Sequence, residues 1–212
     1  SWRIRMLQFS KTETKDLSIA IIVITLLFAY LYSNGTFGMM IYLIPISLVT
    51  IGLSFILHEL GHKYVAQKYG FFAEFRKWNT GLLIAIITGL FGFIFLAPGA
   101  VYIGSYTGII TDEENGKISI AGPIVNIILA VIFLLIEISL KPFFLLSSPL
   151  STYLMITAMI GFHINSFLAL FNLLPIPMLD GSKVMKWNLP LWIVSIVVAG
   201  LLTYASYSSI LL

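Results

Sequence analysis

Phe55-Ile56-Leu57-His58-Glu59-Leu60-Gly61-His62 lies inside a strongly apolar run, and its reading decides how the rest of the chain is understood. On a helix, at ~100° per residue, His62 falls about 40° around the axis from His58, and Glu59 lies on the same arc. Two imidazoles one turn apart can hold a single zinc ion from one side. The carboxylate beside them is placed to take a proton from a metal-bound water. A chance pair of histidines is the plainer explanation, and the setting argues against it. Met39 to Leu57 carries no charge, and ionisable groups at membrane depth are costly and usually functional.

The composition agrees with that setting. Of 212 residues, 59% are hydrophobic and 10% charged, with mean hydropathy +1.01. A water-soluble domain of this size is not so apolar, so the expectation is an all-α polytopic membrane protein forming a single membrane-embedded domain over 1–212. The basic pI of about 9.1 is explained by lysines and arginines on one membrane face rather than by nucleic-acid binding. Cysteine is absent, which excludes thiolate ligands, disulfides and a cysteine nucleophile. Any zinc ligand is therefore His, Asp or Glu, and the histidines are His58, His62 and His163.

In chain order, Ser10-Lys11-Thr12-Glu13 reads as a capping box opening a first span from Leu17 to Tyr32. Ser33-Asn34-Gly35-Thr36 is a turn. Met39 to Tyr69 is a second, longer helix that carries the histidine pair, with Pro45 as a candidate kink. Gly70 to Thr80 reads as an interfacial loop. Within the uncharged stretch Gly81 to Thr111, Gly81 to Leu96 suits a short helix. A break follows at Ala97-Pro98-Gly99-Ala100, and Val101 to Thr107 suits extended chain or a hairpin. Asp112 to Lys117 reads as a polar turn, and Ile118 to Leu140 as a span interrupted early by Gly122-Pro123. Ser151 to Leu174 is a further span, followed by the irregular Pro175-Ile176-Pro177-Met178-Leu179-Asp180-Gly181. Leu189 to Leu212 is the last.

Charge counting sets the topology. If the amino terminus is cytosolic and Gly81 to Thr111 enters and leaves by one face, every Lys and Arg except Lys141 lies on or near the cytosolic side, as the positive-inside rule asks. A single crossing there would move Lys117, Lys183 and Lys186 outside. The expectation is thus five spans plus a re-entrant helix/β-hairpin element, with six spans as the alternative.

A hydrolytic zinc takes three protein ligands and one open position. For the third, the residues leave Asp180, in its Pro-rich break, and His163, well inside its span. An aspartate before Gly181 also suits an ordinary turn.

Three stretches together resemble the site-2 protease family of intramembrane zinc metalloproteases. They are His58-Glu59-Leu60-Gly61-His62, Gly122-Pro123-Ile124-Val125-Asn126, and Asn172-Leu173-Leu174-Pro175-Ile176-Pro177-Met178-Leu179-Asp180-Gly181. The resemblance runs from about the second span to Gly181. It implies Asp180 as third ligand of one zinc ion per chain and Glu59 as general base. Asn165, seven residues before Asn172, would help hold the scissile carbonyl. The implied function is an intramembrane endopeptidase that cleaves locally unwound transmembrane segments. Its substrates would be membrane proteins in the lipid bilayer, its location the plasma membrane, and its active site towards the cytosolic side. The chain departs from the family where Ser182 follows Gly181 and where Pro98-Gly99-Ala100 stands for a Gly-Gly hairpin. With no PDZ-like or nucleotide-sensing domain in view, it reads as a bare catalytic core.

The rival readings are a membrane metal transporter and a non-catalytic metal-binding membrane protein. A transport path would need further polar groups at depth. The spans offer few, Glu137 lying towards the outer end. A di-iron bundle would need a second E-x-x-H motif.

Overall fold

In the computed structural model, which describes residues 7–92, 98–144 and 148–211, five helices are long and apolar enough to cross a bilayer. They are Lys11–Tyr32, Phe37–Lys68, Asp112–Phe143, Pro149–Asn172 and Leu189–Ser208. The protein is an all-α polytopic membrane protein, with a single two-stranded sheet among the described residues. The chain divides into two compact units, 1–114 and 115–212.

The first unit starts with α1 (Lys11–Tyr32), capped by Ser10, whose hydroxyl accepts the Glu13 N–H at 3.1 Å. That is half of the expected capping box. The other half differs, because the Glu13 carboxylate turns inward and is fully buried. Its Oε1 accepts the N–H of Phe75 at 2.9 Å, and its Oε2 pairs with the equally buried Lys63 ammonium. Desolvating both charges is expensive, and the pair holds because each has a direct partner. Glu13→Ala should strand the ammonium and cost about 3–5 kcal/mol of stability, read as a lowered thermal midpoint in detergent. Glu13→Met with Lys63→Met should recover most of it; a double variant as unstable as the single one would show that the stranded charge is not the cause.

The second apolar helix is not uniform. It runs as α2 (Phe37–Ser47), a π-helical segment Leu48–Gly52, and α3 (Leu53–Lys68). Pro45 lies inside α2 and removes an N–H from the ladder. Beyond it, Thr50 donates its hydroxyl to Ile46 O at 2.7 Å and Ser54 donates to Thr50 O. Side chains that bond back into the ladder loosen its pitch. The wide turn re-phases the helix just ahead of His58, a placement frequent at functional sites.

The sequence reading of the segment between the second and third apolar helices is corrected here. The stretch taken as an interfacial loop contains strand β1 (Phe72–Lys77), which pairs antiparallel with β2 (Gly99–Gly104), Phe75 facing Val101. Between them α4 (Asn79–Leu90) is a 12-residue apolar helix. At 1.5 Å per residue it is about 18 Å long, too short to cross alone. A short apolar helix followed by extended chain agrees with the element expected over 81–111, but β2 pairs with β1 across α4 rather than forming a hairpin within 101–107. A sixth span is not among the described helices, and 93–97 fall outside the described residues. Gly99 is required where it stands, since a Cβ would meet Arg76 O at 2.4 Å. On β1, the Ser10 hydroxyl and then the Arg76 guanidinium hold the Glu74 carboxyl below the usual carboxylate range.

Helix α5 (Asp112–Phe144) opens at the boundary of the units. Asp112 to Lys117 is not a turn but its first turns. Thr111 Oγ1 accepts the Glu114 N–H at 3.2 Å, and Glu114 Oε2 accepts the Thr111 N–H at 2.9 Å. This is a capping box that the acidic run disguised. Nor does Gly122-Pro123 interrupt the span; Pro123 is carried inside the helix.

The second unit adds α6 (Pro149–Asn172), α7 (Asp180–Trp187) and α8 (Leu189–Leu211). Helices α6 and α8 pack along one another around Ala169, Leu173 and Ala199. Gly161 lets α5 approach α6, for a Cβ there would meet the Phe133 ring at 2.5 Å. Glu137, which lies towards the outer end of its span, is 2% exposed.

Candidate metal centre

Helix α3 puts His58, Glu59 and His62 on one buried face. The two imidazole Nε2 atoms converge to 3.0 Å, their ring planes at 86°. Two nitrogens bound to one tetrahedral zinc at ~2.0–2.1 Å lie about 3.3 Å apart. The pair therefore stands within a few tenths of an ångström of the separation a shared ion would impose. The residues fit the metal.

Glu59 is oriented by the sheet. Its Oε2 accepts the backbone N–H of Val101 at 3.1 Å. Phe75 and Val101 face each other in register and turn their N–H groups away from the ladder, Phe75's to Glu13 and Val101's to Glu59. One edge of the hairpin is thereby sealed by α1, with Lys77 N–H also reaching Asp16 Oδ2 at 3.3 Å. The opposite edge runs past the carboxylate of α3. Val101 belonged to the expected extended segment, but nothing in its sequence linked it to Glu59. The alternation of apolar Ala73 and Phe75 with charged Glu74 and Arg76 was the available signal for β1.

In the second unit, Asp180 is the first residue of α7 and follows the turn after α6. That turn is held by Leu179 N–H on Ile176 O at 2.9 Å and by Trp192 Nε1–H on Leu173 O at 2.8 Å. Gly181 is what lets α7 begin there: a Cβ would lie 2.0 Å from Leu173 O. That backbone cannot yield, so the glycine after the aspartate is a packing requirement. Ser182 fits in the next position by donating to Leu179 O at 3.0 Å.

His163, the other candidate, serves helix packing. Its Nδ1 lies 2.8 Å from Ser206 Oγ and its ring meets Tyr207 edge-on at 4.5 Å, joining α6 to α8. Asn165 is fully buried; its Oδ1 accepts from Asn126 Nδ2 at 3.1 Å and its Nδ2 donates to Gly161 O at 2.9 Å. Asn126 thus ties α5 to α6, the ordinary use of asparagine between membrane helices.

Two curated proteins are similar to the chain. One, from Methanocaldococcus jannaschii, is named "Putative zinc metalloprotease MJ0611" and is 43% identical over 202 residues, 94% of this chain and 97% of that protein. Another, from Bacillus subtilis, is named "Putative zinc metalloprotease YwhC" and is 34% identical over 160 residues, 70% of this chain and 71% of that protein. No family model matches the chain. No solved structure matches it either.

Proposed function

The chain belongs to the family of these zinc metalloproteases, and from that premise we propose that it cleaves peptide bonds within the membrane. Zinc is its cofactor, held by His58, His62 and Asp180, two imidazoles and a carboxylate being ligands zinc accepts. The observation that carries the reading is the convergence of the two Nε2 atoms on one face of an apolar helix, beside a carboxylate held by a strand edge. Bound there, zinc would supply the Lewis acidity that lowers a water's pKa to about 7.

The chain's own groups do the rest. Glu59 takes the proton from the attacking water and returns it to the departing amine. Asn165 spends one carboxamide N–H on Gly161 O; its other N–H is the donor proposed for the scissile carbonyl. A helical substrate hides its carbonyls in its own ladder, so helix-weak sequences with Gly, Pro or polar residues should be preferred. Once unwound, the substrate adds as a strand to the edge of β2 that faces Glu59. The charge bias of the loops supports a site that opens towards the cytosolic side, in a protein we assign to the plasma membrane.

The test is reconstitution. In proteoliposomes the protein should cut a membrane-spanning peptide with a central helix-breaking stretch, lose that activity to a chelator and regain it with zinc. Cleavage of soluble peptides alone, or activity indifferent to the chelator, would overturn the reading.

A further inference from the structure

We infer that Glu59 in the resting protein occupies the hydrogen-bond position on β2 that an added substrate strand must take, so that docking and release of the carboxylate are one step. The inference rests on the proposed strand addition and goes beyond it.

The hairpin has two edges, and they are treated differently. On β1 the outward N–H groups of Phe75 and Lys77 go to Glu13 and Asp16 of α1. Glu13 is itself locked by the buried Lys63 ammonium, which makes this a permanent closure. On β2 the outward N–H of Val101 goes to Glu59, whose role is chemical. Antiparallel strands exchange N–H and C=O groups at alternate residues. A strand laid along β2 therefore needs the Val101 N–H for one of its own carbonyls, and that hydrogen is already given to Glu59. Both cannot hold it in good geometry. Docking must displace the Glu59 oxygen, which leaves the carboxylate beside the incoming backbone with an acceptor lone pair regained. Until a strand arrives, the same bond covers the edge that would otherwise pair with any extended chain.

The consequence runs against intuition: deleting the side chain of Glu59 should strengthen substrate binding. The probe is a labelled leucine-rich peptide of about 20 residues with a central Asn-Pro-Gly break, titrated against zinc-loaded protein in nanodiscs. Glu59→Gln keeps an acceptor for Val101, and Glu59→Ala removes it; neither offers a base, so the peptide stays intact. Glu59→Ala should bind about 3- to 10-fold more tightly than Glu59→Gln, the worth of one net hydrogen bond. Adding Val101→Pro, which removes the N–H at an edge where proline is tolerated, should weaken both and erase the gap.

Amide exchange gives a second readout that needs no proline. Without peptide, Val101 should exchange faster in Glu59→Ala than in Glu59→Gln; with peptide the two rates should coincide. Equal or weaker binding by Glu59→Ala, or an exchange difference that survives peptide, would overturn the inference, for Glu59 would then keep the amide throughout. Failure of the unaltered protein to cut the same peptide, with these binding and exchange results intact, would remove the protease reading alone.

Discussion

Glu59→Gln is expected to lower peptide cleavage by about 10²–10⁴-fold while leaving the zinc content unchanged. The substitution preserves volume and keeps an oxygen able to accept the Val101 N–H that the carboxylate now accepts at 3.1 Å. His58 and His62 remain on α3 with their Nε2 atoms converging. What disappears is basicity, since an amide cannot take the proton from water or return it to the amine. Turnover of a reconstituted membrane peptide, paired with metal analysis of the same preparation, makes the comparison. A variant retaining more than a tenth of the activity would show that another group moves the proton. A variant short of zinc would show that Glu59 helps to hold the metal.

The second large effect concerns the metal. His62→Ala should weaken zinc binding by at least 100-fold, because loss of a direct ligand exceeds the ~10–100-fold typical of losing an outer-shell partner. Asp180→Ala should do the same if the acid at the start of α7 is the third ligand. His163→Ala should leave zinc in place, because that ring is already committed to Ser206 and Tyr207 between α6 and α8. Its cost should appear in thermal stability instead. Competition with a chromophoric chelator ranks the three. Zinc lost on His163→Ala and retained on Asp180→Ala would reverse the assignment of the third ligand.

A good part of this was legible from the residues alone. His58 and His62 are four positions apart and helical geometry is local, so one face holds both whatever surrounds them. Hydropathy over about 20 residues is likewise additive and local, which is why the five apolar helices could be placed. Their ends were harder. The capping box of Thr111 and Glu114 was hidden because an acidic run suits a turn and a helix start equally well. Pro123 looked like a break, yet a helix packed on its neighbours can carry a proline.

By itself the sequence determined the membrane class, the apolar helices and a metal-binding face beside a carboxylate. Only the tertiary structure decided that Glu13 joins Lys63 and the Phe75 amide, 50 and 62 residues away. It also decided that 72–77 is a strand, and that Val101 meets Glu59. The physical reason is that helices and apolar spans are specified by neighbours in the chain. The partner of a buried charge or a strand edge is specified by whichever distant group can repay its desolvation, and that is settled only once the elements have packed.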